Sequence, residues 1–177
     1  EFDLGVSWLD SAGFPTRTLD DTDRGYDNLS ASAQLRADLG AAEVALRHWR
    51  AEGTSEYSDF FLTPVDQDFE NSTSALSVAW PVGQAARAEV GASRLEDRTR
   101  QNQSADYLRT VRDSADAQLD WQVAPAHALG AGAMFAREQA SSESYGDRMR
   151  ADTDTVTLFA QDRIEAARHR ALLALGY

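Results

Sequence analysis

The chain contains no cysteine and no lysine. Without cysteine, neither a disulfide framework nor a thiolate metal site is available. Its three histidines, His48, His127 and His169, are widely scattered, which argues against zinc or metalloprotease chemistry. All 17 basic residues are arginine, against 29 acidic ones, for a formal net charge of −12. So acidic a chain lacks the basic patches that nucleic acid requires and favours cations or a wet, charged surface. No run approaches the roughly 18 apolar residues that mark a membrane helix. Glu1, Phe2 and Asp3 open neither a basic leader nor an apolar stretch, so no signal peptide is expected in these residues. No nucleophile–base pair, phosphate loop or paired-carboxylate cleft is recognisable, and an enzyme is not expected.

What the chain does have is a rhythm. Tight turns are expected at 39–41, 81–84, 124–126 and 166–168, about 42 residues apart. Between them lie long acidic or polar stretches centred near Asp21, Thr63, Gln101 and Tyr145, read here as long loops. Short turns on one end and long loops on the other are the plan of a transmembrane β-barrel. The mean hydropathy of −0.49 does not oppose this. A barrel strand alternates lipid-facing and lumen-facing residues, so its average is low.

The intervening segments alternate. Leu29, Ala31, Ala33, Leu35, Ala37 and Leu39 share one side, and Ser30, Ser32, Gln34, Arg36 and Asp38 the other. That is a strand period, sustained beyond the usual 5–6 residues and matching the roughly 9–11 of a membrane-spanning strand. Nine strands are expected, at 2–10, 28–39, 41–52, 69–80, 85–98, 107–123, 127–142, 150–165 and 168–177. Around 84–94 the alanine content also suits a helix, but the alternation favours a strand. Trp80 and Trp121 stand before short turns, and Trp8 and Trp49 where strands meet the long loops. Tryptophan at both strand ends matches the aromatic girdles of a membrane barrel, the alternative being four core tryptophans in a soluble β-protein. A propeller would need four strands per repeat and a Gly-His…Trp-Asp signature, neither of which recurs. A sandwich would need two apolar inner faces, and the small residues here make a thin core. A self-contained eight-stranded barrel remains an alternative, although nine is an odd count for closure.

Acidic residues cluster in two stretches. Asp10, Asp20, Asp21, Asp23 and Asp27 surround the first, and Asp59, Asp66, Asp68 and Glu70 the second. Two neighbouring Asp-rich loops offer the hard oxygen ligands calcium takes, six to eight of them at about 2.3–2.6 Å. A solvated acidic outer surface is the other reading. Tyr57, Phe60 and Phe61 form an aromatic tip suited to a large ligand or to stacking within the loop. Arg47, Arg50, Arg87, Arg94 and Arg112, with Glu43, Glu89, Asp116 and Asp120, are expected to line a wet lumen.

Several stretches carry a family resemblance. Ser11-Ala12-Gly13-Phe14 and Asp20-Asp21-Thr22-Asp23-Arg24-Gly25-Tyr26-Asp27-Asn28-Leu29-Ser30 resemble the early barrel of TonB-dependent outer-membrane transporters, of the vitamin B12 (cobalamin) receptor type. Arg47-His48-Trp49-Arg50, followed by Gly53-Thr54-Ser55-Glu56-Tyr57-Ser58-Asp59-Phe60-Phe61, resembles the next strand and loop. Residues 127–138 and Thr157-Leu158-Phe159-Ala160-Gln161-Asp162 are similar in register. The resemblance spans the chain through order and spacing rather than through one signature.

It implies an all-β, antiparallel up-and-down transmembrane β-barrel. Residues 1–177 would be part of one barrel domain, about nine strands of a barrel of about 22 with a plugged lumen. The plug and the box that contacts TonB are not among these residues, so an internal fragment is expected. The implied function is active transport of a scarce, cobalamin-like chelate across the cell outer membrane, with membrane lipid, the ligand and TonB as partners. A porin-like or adhesive barrel is the alternative. The resemblance further implies calcium held by Asp10, Asp21, Asp23 and Asp59, with Asp66 or Asp68 as a last ligand, and ligand contact at Tyr57, Phe60 and Phe61.

Overall fold

A computed structural model of the chain describes residues 1–18, 20–166 and 169–176. Nine strands follow one another: β1 (Phe2–Arg17), β2 (Asp20–Leu39), β3 (Ala42–Ser58), β4 (Pro64–Val82), β5 (Ala86–Gln101), β6 (Tyr107–Ala124), β7 (His127–Ser144), β8 (Asp147–Ala166) and β9 (His169–Gly176). They form one antiparallel up-and-down sheet in chain order, with no helix among the described residues. β1 and β9 do not touch, so the sheet is open.

All nine expected strands are present, and their short-turn ends agree with expectation. Gly40 and Gly83, both at φ 68°, sit in two of these turns and supply a left-handed backbone at little steric cost. The turn expected at 166–168 falls partly on Ala167 and Arg168, and the ninth strand expected at 168–177 includes Arg168 and Tyr177; these three residues lie outside the described ones.

The distal ends differ from expectation. The long loops near Thr63, Gln101 and Tyr145 are mostly strand. The backbone ladder continues to Ser58↔Pro64, Arg100↔Tyr107 and Ser144↔Asp147. What remains is residues 59–63, 102–106 and the two-residue turn Tyr145-Gly146. There both residues have positive φ, 51° and 86°, as a type I′ hairpin requires. Near Asp21 the ladder likewise extends to Arg17↔Asp20, past a bulge between Ser11 and Phe14. These segments escape a period-based reading because both of their faces are polar, so the backbone pairs without a hydrophobic alternation to betray it.

Register assigns every side chain to one of two faces. Val44, Leu46, Leu76, Val78, Trp80, Ala88, Val90, Ala117, Leu119, Ala131, Ala133, Leu158 and Ala160 lie on one. Arg47, Arg87, Arg112, Glu43, Glu89, Asp116 and Asp120 lie on the other, as expected of a wet wall. Arg50 and Arg94 do not join them; their cross-strand partners Ala31, Ser72, Ser74 and Asp113 put them on the apolar face, beyond its apolar stretch. Trp8, Trp80 and Trp121 are on the apolar face, but Trp49 stands opposite Ser32 and Thr73 on the polar one. Trp49 lies three positions on from Leu46, and an odd step in a strand crosses the sheet.

The sheet has almost no core. The buried apolar residues among those described are Ala45, Ala51, Ala79, Val111 and Ala136, and no large side chain is fully buried. Leu46, Leu76, Leu119, Trp121, Phe135, Val156 and Leu158 are all exposed on the apolar face. On the polar face, aromatic rings cover two glycines. Phe69 lies over Gly53 and stacks on Tyr26 at 5.7 Å, and Phe159 lies over Gly132.

The apolar stretch also drifts. The ladder row that starts at Val6 and Ala31 continues through Arg50, Ser72, Glu96, Val111 and Gln139 to Asp152. The row Val82, Ala86, Trp121, Leu129, Asp162, Leu173 is apolar except for one residue. From β1 to β9 the apolar band therefore slides steadily toward the short-turn end, crossing the strands on a diagonal.

Candidate ligand-binding site

At the distal end, three turns converge on an open cleft of about 690 Å³. Tyr57, Phe60, Gln101, Asp106, Glu143 and Tyr145 are among its lining residues. Hydrogen bonds between turns hold it. The Tyr57 hydroxyl donates to Gln101 Oε1 at 2.5 Å, and the Tyr145 backbone N–H donates to Asp106 Oδ1 at 2.9 Å. Phe60 and Phe61 meet edge to face at 5.4 Å and are each 82% exposed. Of the three expected aromatic contacts, Phe60 and Tyr57 line the cleft and Phe61 does not. Tyr145, 95% exposed beside them, is marked by the sequence only as a loop centre.

The expected aspartates occupy several separate settings. Asp59 closes its own turn, its Oδ1 accepting from the backbone N–H groups of Phe61 and Thr63, each at 2.8 Å. Asp66 and Asp68 share a face of β4. Both Asp66 oxygens accept from side-chain amides, one from Asn102 at 2.7 Å and the other from Gln103. These bonds favour the charged carboxylate, so Asn102 first, and Gln103 after it, hold Asp66 below the ordinary carboxylate range. Asp68 Oδ1 accepts from Thr54 and Asn102, each at 3.0 Å.

In the first hairpin, Asp10 stands across from Asp27, Asp23 across from Pro15, and Asp21 is exposed. The link from this hairpin to the second runs through other groups. Buried Arg24 donates from Nε to Ser58 Oγ at 2.9 Å, and the Gly25 N–H donates to Glu56 Oε2 at 2.9 Å. The six expected metal ligands are thus not drawn into one cluster. Among the described residues, no three His, Asp or Glu side chains form a group able to hold a metal ion.

Asn102, Gln103, Asp106 and Arg24 are site residues that the sequence does not mark. Asn102 meets Asp66 across 36 residues of chain, and a polar residue in a polar turn carries no local sign of such a partner.

Below the tips, the apolar face turns into a lattice of ion pairs. Arg50 sits between Glu52 at 2.6 Å and Glu70 at 3.2 Å, and Arg109 binds Glu96 at 2.8 Å. No family model, curated protein or solved structure matches the chain.

Proposed function

We propose that this sheet is part of the wall of an outer-membrane β-barrel, in a TonB-dependent transporter that takes up a large, scarce, cobalamin-like ligand. One observation carries the membrane part of this reading: the exposed apolar band lies on one face only and crosses the strands diagonally. Barrel closure requires strands tilted by about 35–45°, so a band level with a bilayer must cut tilted strands on a slant. A soluble sheet has no reason to slide its apolar stretch from strand to strand, and it would cover that stretch with a second layer. The open edges of β1 and β9 then pair with further strands, because unpaired N–H and C=O groups are too costly in hydrocarbon.

The uptake part rests on the sequence resemblance, and the distal cleft is the ligand-facing site it calls for. Calcium belongs to the same reading. To reach Asp66 it has to displace Asn102 and Gln103, so loop ordering by calcium would be coupled to a change in the tip contacts.

Brominated-lipid quenching tests the wall. In variants keeping a single tryptophan, Trp121 should be quenched strongly in lipid vesicles and Trp49 weakly. Equal quenching, or a chain that stays a detergent-free monomer, sinks the membrane reading. Corrinoid binding with and without calcium tests the cargo separately. No binding in either condition leaves the wall standing and favours a porin-like or adhesive barrel, for which the solvent-facing Phe60 and Phe61 are a ready contact.

A further inference from the structure

We infer that the outward end of the apolar face, across β5–β8, docks the phosphate-bearing head groups of membrane lipids; this rests on the barrel-wall reading. Two ladder rows carry it. The first polar row beyond the apolar stretch is Arg94, Asp113, Arg137, Asp154. It neutralises itself through ion pairs of 3.3 Å (Arg94–Asp113) and 3.1 Å (Arg137–Asp154). A membrane strand of about 9–11 residues counted from Ala86 ends close to this row. Two rows farther out, at head-group height, the ladder reads Glu70, Arg98, Arg109, Ser141, Arg150, and Arg100 follows in the next row.

Arg98 and Arg109 are direct cross-strand neighbours, an arrangement of like charges that only partly finds relief in Glu96. Arg109 is matched by Glu96. Arg98, Arg100 and Arg150 are exposed and form no ion pair among the described residues. Glu70 stands opposite Arg98 and Asp68 opposite Arg100, with Asp152 one row below and Glu143 in the Arg100 row. Glu70 is engaged by Arg50, Glu143 by Arg148, and Asp68 by Thr54 and Asn102. Within β5–β8 these rows and the one below hold five arginines (Arg98, Arg100, Arg109, Arg148 and Arg150) against three carboxylates (Glu96, Glu143 and Asp152), in a chain that as a whole carries −12.

The opposite face supplies the contrast. At the same heights it carries Asp97, Thr110, Ala140 and Ala151, then Thr99, Leu108, Ser142 and Met149, with no basic residue. The arginines stand only on the side that continues the apolar band. The guanidinium fork matches a phosphate with two parallel hydrogen bonds, and the aliphatic stem lies along apolar surface while the head reaches the interface.

The test uses the protein in nanodiscs of mixed phosphatidylcholine and phosphatidylglycerol, extracted gently, with retained lipid identified by mass spectrometry. The wild-type protein should keep phosphatidylglycerol preferentially, roughly tenfold or more over Arg98→Gln/Arg100→Gln/Arg150→Gln. Arg47→Gln/Arg112→Gln, on the opposite face, should match the wild type. Equal retention by wild type and the triple variant overturns the inference and leaves the wall intact. Failure to insert into any bilayer overturns both. If the triple variant misfolds, salt decides: retention by the wild type that does not fall in high salt overturns an electrostatic dock.

Discussion

On one face of this sheet, the row Val82, Ala86, Trp121, Leu129 lies beside the short turns, and the row Glu70, Arg98, Arg109, Ser141, Arg150 lies toward the distal tips. The same strands and the same unbroken backbone ladder carry both. Near the turns, side chains are mostly small or apolar and exposed, apart from Asp162, which meets His127 Nδ1 at 2.9 Å. Toward the tips they hold one another across strands, as Arg50 does with Glu70 and Arg109 with Glu96. Exposed ion pairs contribute at most about 1 kcal/mol each, so the distal half depends on its backbone ladder and on networks rather than on single bridges. On the barrel-wall proposal, the near half depends on the lipid that covers it. On the same proposal, the boundary between the two is where the sheet passes from lipid to water.

The sharpest way to break this comparison is to put a charge on each side of the boundary. Ala117→Arg, on the apolar face near the turns, should lower stability in lipid vesicles by about 2–4 kcal/mol, and Ser141→Arg by about 0–1 kcal/mol. Urea titration of the vesicle-inserted protein measures both, and equal costs would erase the boundary. A smaller effect belongs to the distal half alone. Tyr57→Phe removes the hydroxyl that bonds Gln101 and should cost about 0.5–1.5 kcal/mol while loosening the β3–β4 and β5–β6 turns. Hydrogen exchange should rise at residues 59–63 and 102–106 and stay unchanged at the short turns.

The subtlest difference is in acid. Asp66 has a folded pKa below its unfolded one, so its contribution is present above the ordinary carboxylate range and is lost as the pH falls through the lowered value. Hydrogen exchange at Asn102 and Gln103 should therefore quicken only below the ordinary range, and Asp66→Asn should remove that step. A tip that loosens on the alkaline side would contradict the assignment.

Much of the fold was legible because strand alternation is a local property. Leu29 to Leu39 declares a strand and its two faces without any neighbour. The parity that sends Trp49 to the polar face is also local, since it follows from the step from Leu46, although a girdle of strand-end tryptophans takes no account of it. The distal strand extensions were not legible. Residues such as Gly53, Thr54, Thr99 and Arg100 lie in stretches that are polar on both faces, and only pairing reveals them as strand. The candidate site was legible in part. Tyr57 and Phe60 line the cleft, whereas Asp59 caps its own loop and Asp66 is held by Asn102 and Gln103.

By itself the sequence determined nine strands, their short turns and which residues of the turn-side half share an apolar face, because period and turn chemistry act over a few neighbouring residues. Only the tertiary structure decided the register. Register converts nine separate apolar stretches into one diagonal band, pairs Arg98 with Arg109, and brings Asn102 to Asp66. Each of these depends on which residues of different strands stand opposite one another, and a shift of one residue in any pairing would undo them.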